Sequence, residues 1–484
     1  MKIITTSKLL LLAIALITQN VFSAPNVTTN LGVISGPNFK VKRGLVVAIG
    51  GFRDAERQRI DFVESLGLDM VTLAQNLCDF TNEFEKPLHQ FYENNEGTVS
   101  VRVDPDVIKV RQYAAAKNLR VVHQISGVPY RCIFINKEWD SPILPILEER
   151  QWTGNANWYP VADHNYRGTI GGIIGRWAQA VEAADGSFSS IWAGTQEPSH
   201  TVGFPAGPDG SLIRTPEQVS NNVNLYFHSW KRTAKLLNEV GIETGGLQLN
   251  EADTAYFDQT LKNFRDTDTP LDYFTAQNYA ADRGVGDYLK AAKTALQNNG
   301  YPWEKKVLFN RYSLKKPDNW EVNSAGIIHW LKAEKQIINN ADILYGYSLE
   351  YSKAANSILL SETLRFVHDM IGVRRPLNST IDGLDGFIGA NKQRFTAVIW
   401  NSSGTNQNLE LKIQNMPEDY SNMQLKTTLV KAQSQSEIEG TFNKANGIVQ
   451  IDGIPDKGYL LIEISHAPAG PSLAAGRPVQ VFRR

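Results

Sequence analysis

From Gly44 to about Val373 the chain alternates short apolar runs with amphipathic stretches. The runs are Leu45–Ile49, Asp69–Ala74, Arg120–Ile125, Ser190–Gly194, Gly246–Asn250, Asp272–Ala276, Lys306–Asn310 and Ile343–Tyr347. They are rich in β-branched or aromatic residues and bounded by turn formers, which predicts strands. Apolar residues at three-to-four spacing predict helices over 55–66, 107–117, 170–184, 216–240, 256–264, 286–298, 325–339 and 357–371. Strand–helix units in this number and span predict a (β/α)₈ barrel over residues 44–373. A doubly wound sheet is the alternative, but Gly50-Gly51-Phe52 after the first strand does not supply the glycine-rich phosphate turn that such a sheet carries. After Arg374-Arg375-Pro376 the period changes to two. Phe395–Trp400, Leu409–Ile413, Leu425–Val430, Ile448–Ile451 and Tyr459–Ile464 alternate between Asn-Ser-Ser-Gly and Asp-Gly turns. The fold class is therefore α/β, a barrel followed by a small antiparallel β-sandwich over 377–466. Residues 24–43 read as an N-terminal arm and 467–484 as a loose Pro/Gly/Ala-rich tail.

The first 23 residues change the picture by compartment. Lys2 and Lys8 precede the apolar run Leu9–Ile17, and Val21-Phe22-Ser23 ends on a small residue. This is the pattern of a cleaved signal peptide and predicts an exported, soluble chain, secreted or periplasmic, without a membrane anchor. The charge balance of 49 basic and 50 acidic residues points away from nucleic acid as a partner. The two cysteines, Cys78 and Cys132, fall just after predicted strand two and within the long loop after strand three, so a disulfide and two free thiols both fit. Neither the cysteines nor the eight histidines show metal-ligand spacing, and no metal or cofactor is expected; the chain reads as a monomer.

The loop after strand three runs from about Ser126 to Arg167. It carries Tyr130, Trp139, Trp152, Trp158, Tyr159 and Tyr166, with Asn155 and Asn157 between them. Rings interleaved with amides suit a sugar, whose C–H face stacks while its hydroxyls hydrogen-bond. Such a loop also needs a mini-core of its own, and the same tryptophans would serve that.

The sharpest motif is Ile191-Trp-Ala-Gly-Thr-Gln-Glu-Pro198 at the end of the fourth run. Here the chain resembles glycoside hydrolase clan A, barrel enzymes whose general acid/base is a Glu in Asn-Glu-Pro at the end of strand four. The resemblance implies Glu197 as general acid/base and Gln196, where the family has Asn, as a contact to the sugar. It also implies that Tyr279, at the mouth of strand six, hydrogen-bonds the nucleophile. His123 on strand three and His200 after Glu-Pro are further candidate substrate contacts. The family's nucleophilic Glu ends strand seven; this chain has Asn310 in Lys306-Val-Leu-Phe-Asn-Arg-Tyr312, which becomes a candidate substrate contact instead. The second carboxylate then falls to Glu350 at the end of strand eight or to Glu251 at the end of strand five, with Asp253 a further rim acid; Glu350 is favoured for its place between two tyrosines.

The architecture, over roughly residues 44–466, is similar to that of family 39 hydrolases and of the agarases and porphyranases of family 86. The resemblance implies a secreted hydrolase acting within a polysaccharide chain, with an agar- or porphyran-type galactan as the candidate substrate. A glycan-binding protein on a decayed hydrolase barrel is the rival, since strand seven lacks its acid.

Overall fold

The computed structural model describes residues 25–36, 39–48, 52–75, 91–93, 99–101, 105–125, 175, 177–186, 190–193, 216–246, 249, 251–278, 284–312, 314, 319–370 and 372–466. They fall into two compact units.

The first unit lies within 37–370 and is an eight-stranded parallel sheet. Its strands, in chain order, are Lys42–Ala48, Met70–Gln75, Arg120–Ile125, Ile191–Ala193, Glu243–Thr244, Phe274–Asn278, Val307–Tyr312 and Leu344–Glu350, called strands one to eight below. Strand one pairs with both strand two and strand eight, so the sheet runs five-four-three-two-one-eight-seven-six. Bridges Gly245↔Tyr273 and Leu249↔Ala276 join strand five to strand six and close the barrel. Gly245 makes that closure feasible, because a Cβ there would stand 2.4 Å from the Thr275 methyl. Strand five pairs earlier than its apolar run at Gly246–Asn250 predicts, and the bridge Leu249↔Ala276 reaches into that run.

Helices follow the strands where the three-to-four spacing places them. The helix Ser324–Asn339 shows why: the Asn323 side chain accepts from the Gly326 amide at 2.9 Å, which caps its N-terminus. Ile327, Ile328, Leu331, Ile337 and Ile338 then form its buried stripe. The barrel floor is filled by Met70, Val122, Ile191, Ala193, Tyr273 and Leu308, one contiguous cluster drawn from strands that are not all neighbours. Only side chains pointing into the lumen can meet in that way, which fixes the inner face of strands two, three, four and seven.

The second unit pairs two sheets. One has the order 378–379, 27–30, 407–414, 448–454, 441–443, and the other 373–375, 384–390, 394–401, 459–465, 424–431, 434–437. Phe395, Ala397 and Ile399 alternate into the core with Leu460, Ile462 and Ile464 from the neighbouring strand. The reading of residues 24–43 as an arm is corrected, and the sheet begins before the change of period at Arg374-Arg375-Pro376. Val27–Asn30 is an interior strand, parallel to Gln407–Gln414 and antiparallel to Asn378–Ser379. Val373–Arg375 pairs with Ile388–Ala390. Val27 is fully buried in the sandwich core. Val27→Ala is therefore expected to cost about 2 kcal/mol, through lost methyl burial and a residual cavity, read by urea unfolding of the sandwich.

Candidate active site

A parallel barrel presents its chemistry at the C-terminal strand ends, so the mouth holds Glu350, Arg311 and Asn310. How strand seven gets two polar residues onto one face follows from its register. Against strand eight, Phe309 pairs with Tyr347 and Tyr312 with Leu349, so Asn310 and Arg311 together oppose Ser348. Against strand six the same shift falls between Phe309 and Arg311. This is a β-bulge, which re-aims side chains.

The outer face confirms the direction. Tyr312 lies 6.2 Å from the Phe309 ring and 5.4 Å from that of Tyr347. The Tyr347 hydroxyl donates to Glu334 on the helix Ser324–Asn339. Phe309 and Tyr312 thus share the helix side, and the bulge turns the two residues between them to the lumen. Ser348 is a lumen residue, since its hydroxyl meets that of Thr72, two strands away, at 2.7 Å.

Glu350 follows Ser348 by two and lies on the same inner face. Arg311 reaches it with two donors, Nε at 3.0 Å and Nη2 at 2.7 Å, both onto Oε1. The carboxylate is partly exposed, at 19%. A charge-assisted contact of two donors on one oxygen fixes its orientation without closing it to solvent. Asn310 is fully buried, and neither its Nδ2 nor its Oδ1 has a hydrogen-bond partner.

Of the residues picked out in the sequence, the structure brings Asn310 and Glu350 to one face of the mouth. Glu251 opens the 3₁₀ turn Glu251–Tyr256 just beyond strand five, on the mouth side; its side chain is outside the described residues. Gln196, Glu197, His200, Trp139, Trp152, Trp158, Tyr279, Cys78 and Cys132 also lie outside the described residues.

His123 is a correction: it is not at the mouth. Val122 fills the barrel floor, so His123 faces the helical layer. Its ring stacks on Trp192 at 4.2 Å and 11°. Trp192 packs edge-on against Trp177 and donates to Glu182 at 2.7 Å, both on the helical stretch over 177–185. Arg111 pairs with Glu182 at 2.7 Å and with Asp185, so strand four is backed by a buried ion cluster. Burial, reinforced by the Arg111 charge, holds the His123 imidazole well below its ordinary 6.5. Burial likewise raises the Glu182 carboxyl, against the pull of Arg111. A neutral folded His and a protonated unfolded one mean that stability is full above pH 6.5 and falls as pH drops below it. The slope expected from His123 is about 1.4 kcal/mol per pH unit, and His123→Phe should lessen the total by that amount while keeping the stack on Trp192; the part due to His368, whose imidazole is also lowered by burial, stays in both chains. Stability measured from pH 7 to 5 for both chains checks this; equal slopes would show that His123 is not the group responsible.

Sequence reasoning missed Arg311. Its only signal was a lone Arg beside Asn310, and its role depends on the bulge, which is a matter of pairing register.

With this geometry in hand, comparison with solved structures is informative. The chain is similar to a glycoside hydrolase family 39 enzyme from Xanthomonas axonopodis pv. citri, with TM-score 0.59 and 12% identity over 92% of this chain and 98% of that one. It is also similar to a glucosidase from Croceicoccus marinus, with TM-score 0.56 and 11% identity over 92% and 99%. A family 30 subfamily 8 xylanase from Clostridium acetobutylicum aligns with TM-score 0.54 and 10% identity over 91% and 100%. At these identities the likeness shows a shared fold. No family model and no curated protein sequence matches the chain.

Proposed function

We propose that this protein is a secreted glycoside hydrolase acting within a polysaccharide, with Glu197 as general acid/base and Glu350 as the second carboxylate. The observation that carries the reading is Glu350 itself: an oriented, solvent-reaching carboxylate on the inner face of the mouth of a glycosidase-type barrel. Glu197 follows strand four by four residues. In this mechanism Glu197 protonates the departing glycosidic oxygen and later activates water. Glu350 stabilises the positive charge that develops at the anomeric carbon, by electrostatics or by a covalent bond. Arg311 acts through Glu350 as a positioning residue. Trp139, Trp152 and Trp158 supply stacking surfaces along the cleft, with Gln196, His200 and Tyr279 as polar contacts.

Similar structures include a xylanase, an α-L-arabinofuranosidase and a xyloglucanase, so the substrate panel should span backbones of several kinds. Purified protein is incubated with xylan, xyloglucan, arabinan, agar and porphyran, and new reducing ends are measured. Release from at least one supports the reading, and release from agar or porphyran supports the galactan assignment.

The second reading, a glycan-binding protein without catalysis, draws on strand seven, where the bulge carries an amide and a guanidinium and no acid. Binding to a panel member without release of reducing ends would favour it.

A further inference from the structure

We infer that the strand-seven bulge is a recognition device in which the Asn310 amide pairs with adjacent hydroxyls of one sugar at the barrel mouth. This rests on the glycoside hydrolase reading above and assigns it a specificity-determining residue. Three observations converge. The bulge turns Asn310 to the lumen side, since Phe309 and Tyr312 both face the helices. The amide is fully buried with donor and acceptor both unpaired. Two other polar pairs on that inner face are already engaged with each other, Thr72 with Ser348 and Arg311 with Glu350.

A buried polar group without a partner is costly, and native proteins rarely keep one without a use for it. An Asn side chain offers donors and an acceptor in one plane. A carboxylate ligand would satisfy Nδ2 and repel Oδ1, and a cation would do the reverse. Two neighbouring hydroxyls satisfy both, because each hydroxyl can donate and accept. The chemistry therefore selects a neutral polyol, such as a diol edge of a pyranose.

This predicts a trade of stability against binding at one residue. Asn310→Leu, close in size and apolar, should leave Tm unchanged or raise it by about 1–3 °C, because an unpaired polar group is removed. It should weaken binding of an oligosaccharide by roughly 10- to 100-fold, the loss expected when a site's hydrogen-bonding pair to hydroxyls is deleted. Calorimetric titration uses xylotetraose, cellotetraose and neoagarotetraose, with Asn310→Ala alongside as a variant that cannot overpack. If the Leu and Ala variants both lose more than about 2 °C in Tm beyond the cavity cost expected for Ala, the amide has a structural role and the inference is overturned. If wild type binds a tetraose and both variants bind it within two-fold, the inference fails alone. If wild type binds none of the three although it releases reducing ends from a panel polysaccharide, the inference is overturned and the hydrolase reading stands; if it neither binds a tetraose nor cleaves any panel member, both fail.

Discussion

Glu350→Gln is expected to lower hydrolysis of whichever polysaccharide the wild-type chain cleaves by about 10³-fold, and Glu197→Gln by about 10²–10⁴-fold. The two losses have different causes. The change at position 197 removes the proton that the leaving oxygen needs, so the loss should be largest on substrates with poor leaving groups and small on an activated aryl glycoside. On the proposed mechanism, the change at position 350 removes the negative charge that would face the anomeric carbon, which every substrate would need equally. Folding should survive Glu350→Gln, because an amide oxygen can still accept from the two Arg311 donors that now converge on Oε1. If Glu350 is a nucleophile, Glu350→Ala should recover turnover in azide, with a glycosyl azide as product. Activity of the Glu350→Gln chain within about three-fold of wild type would move the role to Glu251. Both single variants at wild-type rate would remove the two-carboxylate mechanism altogether.

Most of the barrel and the sandwich is legible in the sequence, and the reason is periodicity. Arg120–Ile125 is a strand over the very residues that its β-branched run marks, and the sandwich strand Arg394–Asn401 contains its predicted run with one residue added at each end. Long stretches with one strong period leave little freedom. The features that escaped are those set by pairing between distant segments. Val27–Asn30 is four residues long, and its parallel partner begins at Leu411, far downstream, so no local pattern announces it. The bulge at Asn310 and Arg311 is a shift of register, invisible to a count of alternating residues, yet it decides which side chains share the lumen with Glu350. His123 shows the converse: its strand is plain in the sequence and its face is not, because the apolar and polar residues there do not alternate cleanly. The place of Glu350 at the end of strand eight was legible because it is the one charged residue on that strand.

Arg43→Met is expected to destabilise the barrel by about 3–5 kcal/mol, the largest stability effect of any single change considered. Arg43 on strand one and Glu334 on the helix Ser324–Asn339 are both buried, and Nε and Nη2 meet Oε1 at 3.1 and 2.6 Å. The second carboxylate oxygen accepts from Tyr347 on strand eight at 2.8 Å. Burial alone would push the Arg43 guanidinium down, and Glu334 with Tyr347 more than reverses this, so the charge is secure. Removing Arg43 leaves a carboxylate in the interior with one neutral donor, and the cost is that of an uncompensated buried charge rather than the net worth of the pair. The double variant Arg43→Met with Glu334→Leu should therefore recover most of the loss, because apolar packing replaces both charges. Urea unfolding of the two single variants and the double variant closes the cycle. Tyr347 lies three residues before Glu350 on the same strand, so the single variant should also blunt any hydrolysis, and the double variant should restore it only in part, since the Tyr347 hydroxyl loses its acceptor. A double variant as unstable as Arg43→Met alone would mean that the strands here are held by the ion pair's geometry and not merely penalised by its rupture.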